Sequence, residues 1–237
     1  MRAPRFRDWT AFVSHHHSRR CHSLAALGLA VLVGTAAALD FDRLMAGIGQ
    51  RFGPAAAQSF QDWRRLLDEA GALPVPDRLR RINEFFNRRI QFSDDAKTWG
   101  QSDYWATPME TIGRGQGDCE DFTIAKYFSL LNSGIPNEKL RLVYVKARTG
   151  GPSSTVQQAH MVLAYYATPD AEPLVLDNLI TDIRPASRRP DLLPVFSFNS
   201  QGLWAGAGGN DPQGPGGPGR LTRWQDLLTR ARAEGFD

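Results

Sequence analysis

Apolar positions along this chain follow two periods, helical in the first half and alternating in the second. Over residues 55–70 they recur at helical spacing, with Phe60, Trp63, Leu66 and Leu67 on one stripe. Together with residues 41–52 this predicts one or two amphipathic helices. Residues 74–77 (PVPD) break the pattern, and 78–89 resume it with Leu79, Ile82, Phe85 and Phe86 opposite a row of arginines. From Phe122 to Leu131 the chain is apolar nearly all round the helical cylinder, Lys126 being its one charge. A helix of that kind is buried on most sides. Asp118, with a second acid at Asp121, predicts a capped start at Cys119, and Gly134 followed by Ile135-Pro136 predicts the stop.

Beyond that helix the period changes to two. Residues 140–147 alternate Leu142, Tyr144 and Lys146 against Val143, Val145 and Ala147, and 160–166 and 173–176 are further β-rich runs. Residues 150–154 form a turn, and the connection 168–172 is short enough for antiparallel pairing. Helices followed by an antiparallel sheet predict an α+β domain. The stretch 90–108 reads as a loop whose acids and aromatics (Asp94, Asp95, Trp99, Asp103, Tyr104, Trp105) pack on something or line a site. Residues 178–204 read as irregular, interrupted by Pro185, Pro190 and Pro194, with a strand-like piece at 196–199. A Gly/Pro-rich linker (205–219) and a helical tail (220–237) complete the division after a domain at 39–204.

Composition matters chiefly through the first 38 residues. Arg2, Arg5, Arg7, Arg19 and Arg20 precede an apolar run at 24–33 and a small-residue segment at 34–38, the layout of a secretory signal peptide. An uncleaved membrane anchor is the alternative; export is the expectation. Of the 28 basic and 25 acidic residues, the chain after this leader keeps 23 and 24, a formal charge of −1. The basic character of the whole therefore makes no case for nucleic-acid binding. The leader also takes Cys21 and His15, His16, His17 and His22, leaving one cysteine, Cys119, and one histidine, His160. No internal disulfide and no four-ligand Cys/His zinc site can be built from these.

That arithmetic directs attention to Cys119. On the first turn of a helix a thiol meets the positive end of the dipole, which lowers its pKa and makes a nucleophilic thiolate available. The alternative is a buried structural cysteine. His160 in one strand and Asp177 at the end of the next can lie side by side across a hairpin, with the helix bringing Cys119 to the other side of the ring. Thiol, imidazole and carboxylate form a nucleophile, base and orienting acid. The backbone N–H of Cys119 is one oxyanion donor, and Gln101, Trp105 or Gln116 is the second. Asp118, Glu120 and Asp121 work against a thiolate unless a hard cation neutralises them; calcium suits such oxygens, with Asp103 or a carbonyl completing the shell. The alternative is that Asp118 and Asp121 cap the helix and Glu120 is solvated.

The segments YWATPMETIGRGQGDCEDFTIAKYF (104–128), AHMVLAYY (159–166), PLVLDNL (173–179) and PVFSFN (194–199) resemble the bacterial transglutaminase-like cysteine proteinases, over residues 52–204. The resemblance implies a papain/transglutaminase-like fold, a central buried helix carrying the Cys packed on an antiparallel sheet carrying His and Asp. It implies Cys119 as nucleophile, His160 as base, Asp177 as orienting acid, and a required Ca2+ site at Asp118, Glu120 and Asp121. It further implies cleavage of the N-terminal region of a large surface adhesin next to small residues, releasing biofilm cells. An inner-membrane cyclic di-GMP receptor would be the inhibitory partner. Two other readings of the same residues are a transglutaminase-type acyl transferase or amidase, and a non-catalytic calcium-binding adaptor.

Overall fold

The computed structural model describes residues 40–151, 153–207 and 221–236. The signal-peptide segment and most of the Gly/Pro-rich linker lie outside the described residues. Three helices come first: α1 (Phe41–Phe52), α2 (Pro54–Gly71) and α3 (Val75–Arg89). Their buried stripes are the ones the spacing predicts. Phe60, Trp63, Leu66 and Leu67 face inward from α2, and Leu79, Ile82 and Phe86 from α3. Phe85 is the exception, partly buried at the rim of the core.

The expected loop over 90–108 is more ordered than its sequence suggests. A two-residue strand β1 (Gln91–Phe92) and a one-turn helix α4 (Asp95–Thr98) occupy it, and α5 (Pro108–Arg114) follows directly. Thr107 and Glu110 form a reciprocal capping box at the start of α5, with Pro108 in its first turn. Gly115 ends α5 in the left-handed conformation (φ 63°), where a side chain is disfavoured. The strand β2 (Gln116–Gly117) then pairs parallel with β1.

The central helix α6 (Cys119–Asn132) starts at the expected residue. At its far end Ile135 N–H bonds to the Leu130 carbonyl and Gly134 N–H to that of Leu131, with Gly134 left-handed at φ 88°. This is a Schellman stop. Helix α6 packs against α3 and α5 on one side and the sheet on the other.

The sheet contains β3 (Leu140–Arg148), β4 (Gln157–Tyr165), β5 (Leu174–Leu176), β6 (Arg184–Pro185), β7 (Leu192–Phe198) and β8 (Leu203–Ala205). Its order is β6-β5-β4-β3-β7-β8, antiparallel throughout. The alternation in β3 sorts its faces. Leu142 and Tyr144 turn to the helices, whereas Val143, Val145 and Ala147 join Val162, Ala164 and Val175 in a second apolar cluster. Strand β7 is longer than the strand-like piece expected there. Tyr144 opposes Phe196 and Val145 opposes Pro194, so Val195 is an extra residue in a β-bulge. Proline lacks a donor for the ladder, and a bulge accommodates it.

The last helix, α7 (Thr222–Glu234), buries Trp224, Leu227, Leu228 and Ala231 in the main core. Trp224 packs edge-on to Tyr127 of α6 and Phe198 of β7.

Candidate active site and acidic cluster

A cleft of about 600 Å³ opens at the N-terminal end of α6. Cys119, His160, Trp105, Tyr144, Asp118 and Glu120 are among its walls. His160 is the fourth residue of β4, not the first, and Asp177 follows the last residue of β5. His160 Nε2 stands 2.8 Å from Asp177 Oδ1, and both side chains are buried. With the Nε2 proton donated to that carboxylate, Nδ1 of the ring is left as the acceptor. The start of α6 is tied to β4 beside the histidine: Thr123 Oγ1 lies within hydrogen-bond distance of the carbonyls of Cys119 (2.8 Å) and Met161 (3.0 Å).

Asp177 is held from several directions. Its Oδ1 also accepts the Leu179 N–H at 3.0 Å, its carbonyl accepts from Asn87 Nδ2 at 2.7 Å, and its Oδ2 accepts from Arg189 Nη2 at 2.7 Å. Burial pushes the carboxyl up, but the bonds from His160, Leu179 and Arg189 outweigh it and hold Asp177 at about 2. Lys126, buried two turns along α6, has its ammonium pulled down to about 7 by burial against the opposing pull of Asp177.

The thiol meets the opposition that its neighbouring acids predict, with burial added to it. Cys119 Sγ–H donates to Glu120 Oε2 at 2.7 Å. Burial first, then the charge and hydrogen bond of Glu120 and the charge of Asp118, push this thiol far up, with the Met161 N–H pulling the other way. The lowering expected from the helix dipole is thus outweighed: a partial charge loses to burial and adjacent carboxylates.

Those carboxylates form a cluster with Asp103, the further ligand expected from the sequence, and with one acid more. Asp118, Glu120 and Asp121 are joined by Asp95, brought in by α4, and by Asp103; ligand oxygens of Asp95, Asp118 and Asp121, and of Asp95, Asp103 and Glu120, lie within 4.8 Å of one another. Asp121 has a second duty, accepting the N–H groups of Ala106 (2.8 Å) and Asp118 (3.4 Å). Gly117 is needed beside it, because a Cβ there would meet Asp121 Oδ2 at 2.7 Å. Burial and mutual repulsion push Asp95 up to about 6 and Asp118 to about 9, and Asp121 well above its ordinary range. The buried oxygens Asp95 Oδ1 and Asp118 Oδ1 have no hydrogen-bond partner among the described residues. Crowded, buried, unpartnered carboxylate oxygens are the donor set of a hard divalent cation. The sequence places Asp95 among loop acids that line a site but not in this cluster, because its loop position has no spacing relation to Cys119.

Of the three residues considered as a second oxyanion donor, Trp105 lies on the cleft wall. Gln116 reaches Gln91 at 3.4 Å, and Gln101 lines a neighbouring depression. No helix among the described residues is long and apolar enough to cross a membrane.

The family described as "Bacterial transglutaminase-like cysteine proteinase BTLCP" matches residues 73–198. Among solved structures, Legionella pneumophila LapG is 38% identical, with a TM-score of 0.68 over 83% of this chain and 99% of that one. An EGTA-treated form of the same protein has a TM-score of 0.70 over 83% and 100%. Its calcium-bound form has a TM-score of 0.68 over 80% and 98%, both again at 38% identity. No curated protein matches the chain.

Proposed function

Because the chain belongs to the bacterial transglutaminase-like cysteine proteinases, we propose that it is an exported, calcium-dependent cysteine endopeptidase working through Cys119, His160 and Asp177. The observation that carries this reading is a single cleft lined by both Cys119 and His160, with the ring bonded through Nε2 to Asp177 at 2.8 Å. In the reaction, His160 Nδ1 takes the thiol proton and the thiolate attacks the scissile carbonyl. The Cys119 N–H faces the oxygen that gains charge. The imidazolium then protonates the departing amine, leaving a thioester that water hydrolyses with His160 again as base. Asp177 holds the ring in the tautomer this sequence of transfers needs and steadies the imidazolium.

Asp95, Asp103, Asp118, Glu120 and Asp121 would hold the cation. Calcium bound there supplies positive charge that cancels the carboxylate field on the thiol. Calcium-bound and EGTA-treated forms of the Legionella protein support the choice of ion. The substrate in this reading is the N-terminal region of a large surface adhesin in the periplasm, cleaved to promote biofilm dispersal. An inner-membrane cyclic di-GMP receptor is the inhibitory partner.

Incubation with an adhesin fragment and a labelled amine tests the reaction. Cleavage without amine incorporation, lost in Cys119→Ala and in excess chelator, is the expected result. Amine incorporation without cleavage would assign an acyl transferase, and normal function of Cys119→Ala would assign a binding module.

A further inference from the structure

Two adjacent arginines, Arg188 and Arg189, stand in the connection between β6 and β7, and the fold treats them differently. Arg188 is exposed, whereas Arg189 is 2% exposed and aimed at Asp177. Its Nη2 donates to Asp177 Oδ2 at 2.7 Å and to Asp191 Oδ2 at 2.7 Å, and its Nε donates to Asp191 Oδ1 at 3.0 Å. Asp191 therefore grips one edge of the guanidinium while the same edge reaches the Asp177 oxygen that His160 does not use. Backbone bonds hold the turn on both sides, Arg189 N–H to the Ala186 carbonyl and Leu192 N–H to that of Arg189. Arg189 Nη1 is buried with no hydrogen-bond partner among the described residues. Burying a guanidinium with an orphan donor is costly, which makes a purely stabilising role a poor explanation for it.

We propose that Arg189 is a positioning residue for the reaction: by fixing Asp177 Oδ2 it turns Oδ1 toward His160 Nε2 and so sets the tautomer of the catalytic imidazole. A carboxylate bonded through one oxygen can pivot about its Cβ–Cγ bond; one bonded through both cannot. The ring orientation that follows presents Nδ1 for the thiol proton. The charged groups around Asp177 are His160 on β4, Lys126 on α6, and Arg189 with its partner Asp191. This inference rests on the triad reading above and deepens it.

The test uses the full calcium-loaded chain and two readouts. Nitrogen-15 NMR of the imidazoles reports the tautomer, recorded on a Cys119→Ala background so that no thiol proton passes to the ring, the His160 signal being assigned by its absence in His160→Gln. Iodoacetamide alkylation, mapped by mass spectrometry to Cys119, reports thiolate formation. In wild type and in Arg188→Met, His160 carries its proton on Nε2. In Arg189→Met that preference is lost and alkylation of Cys119 at pH 7 slows by about tenfold or more, the scale of misplacing a catalytic group. A folded Arg189→Met with alkylation within twofold of wild type, or with slower alkylation and an unchanged tautomer, overturns the proposal. Should that variant not fold, Asp191→Ala decides, since it removes every bond that anchors the guanidinium on the Asp191 side, loosening its hold on Asp177 Oδ2 without touching the triad. A tautomer shift there supports the proposal, and an unchanged tautomer overturns it. Wild-type alkylation in His160→Gln would instead remove the triad reading itself, whatever Arg189 does.

Discussion

Glu120→Gln is the most informative single substitution outside the triad, because it separates what the acidic cluster does to the sulfur from what it does for the fold. Glu120 Oε2 stands 2.7 Å from Cys119 Sγ. Two unit charges at that separation repel by about 1.5 kcal/mol under full water screening and by about 6 kcal/mol at an effective dielectric of about 20. A thiolate side chain rotates away from such a neighbour, so the lower figure is the floor, corresponding to about a tenfold change in thiolate fraction. Glutamine keeps the size and a hydrogen-bonding group and removes the charge. In excess chelator, Glu120→Gln should therefore react with iodoacetamide at Cys119 at least about tenfold faster than wild type at pH 7. Added calcium should accelerate wild type strongly and Glu120→Gln much less, since one ligand is gone. Equal rates for the two proteins in chelator would refute the reasoning, because the carboxylate would then have no hold on the thiol.

Other consequences are separable from that one. Asp177 titrates at about 2 in the folded chain against an ordinary 3.8, so it contributes about 2 kcal/mol of stability above pH 4, lost as pH falls through 2. Urea unfolding of wild type and Asp177→Asn between pH 2 and 5 should show the gap between them closing with acid. Asp95 and Asp118 are shifted the other way, to about 6 and about 9. The native chain then binds more protons than the unfolded one, and in chelator its stability should fall as pH rises from about 4 to 9. Calcium should flatten that slope in a thermal-melt series, and a slope unchanged by calcium would count against a cation at this cluster. Trp224 is fully buried among Tyr127, Phe128 and Phe198. Trp224→Ala should cost about 3–5 kcal/mol in denaturant unfolding, the scale of a large core truncation.

The parts legible in the sequence are those whose information is local. A thiol after an N-cap aspartate, a helix apolar on all sides, and a strand alternating Leu142 and Tyr144 with Val143 and Val145 each announce themselves within a few residues, and each forms as read. His160 and Asp177 were legible through hairpin geometry, because a strand, a turn and a strand return the chain to its start. What was illegible depends on tertiary registration. Nothing local separates Arg189 from Arg188, and only the packing of the β6–β7 connection chooses which one is buried. Asp95 belongs to the acidic cluster because α4 and the β1–β2 pair fold that segment against the start of α6. Strand β7 was hidden by Pro190 and Pro194, whose missing donors are absorbed by a turn and a bulge. The thiol is legible in part: the opposition of Glu120 and Asp118 to its ionisation stands in the sequence beside it, whereas the burial that adds to that opposition is a property of the folded cleft.

The central claim is that the sulfur of Cys119 and the ring of His160 act as one ionising unit. The measurement closest to it is the pH dependence of iodoacetamide alkylation at Cys119, in calcium, for wild type and His160→Gln. Rapid wild-type alkylation persisting at pH 6, well below the range of a free thiol, and lost on replacing the ring, is the expected result. Identical curves for the two proteins, both rising only near the ordinary thiol pKa of about 8.5, would contradict it.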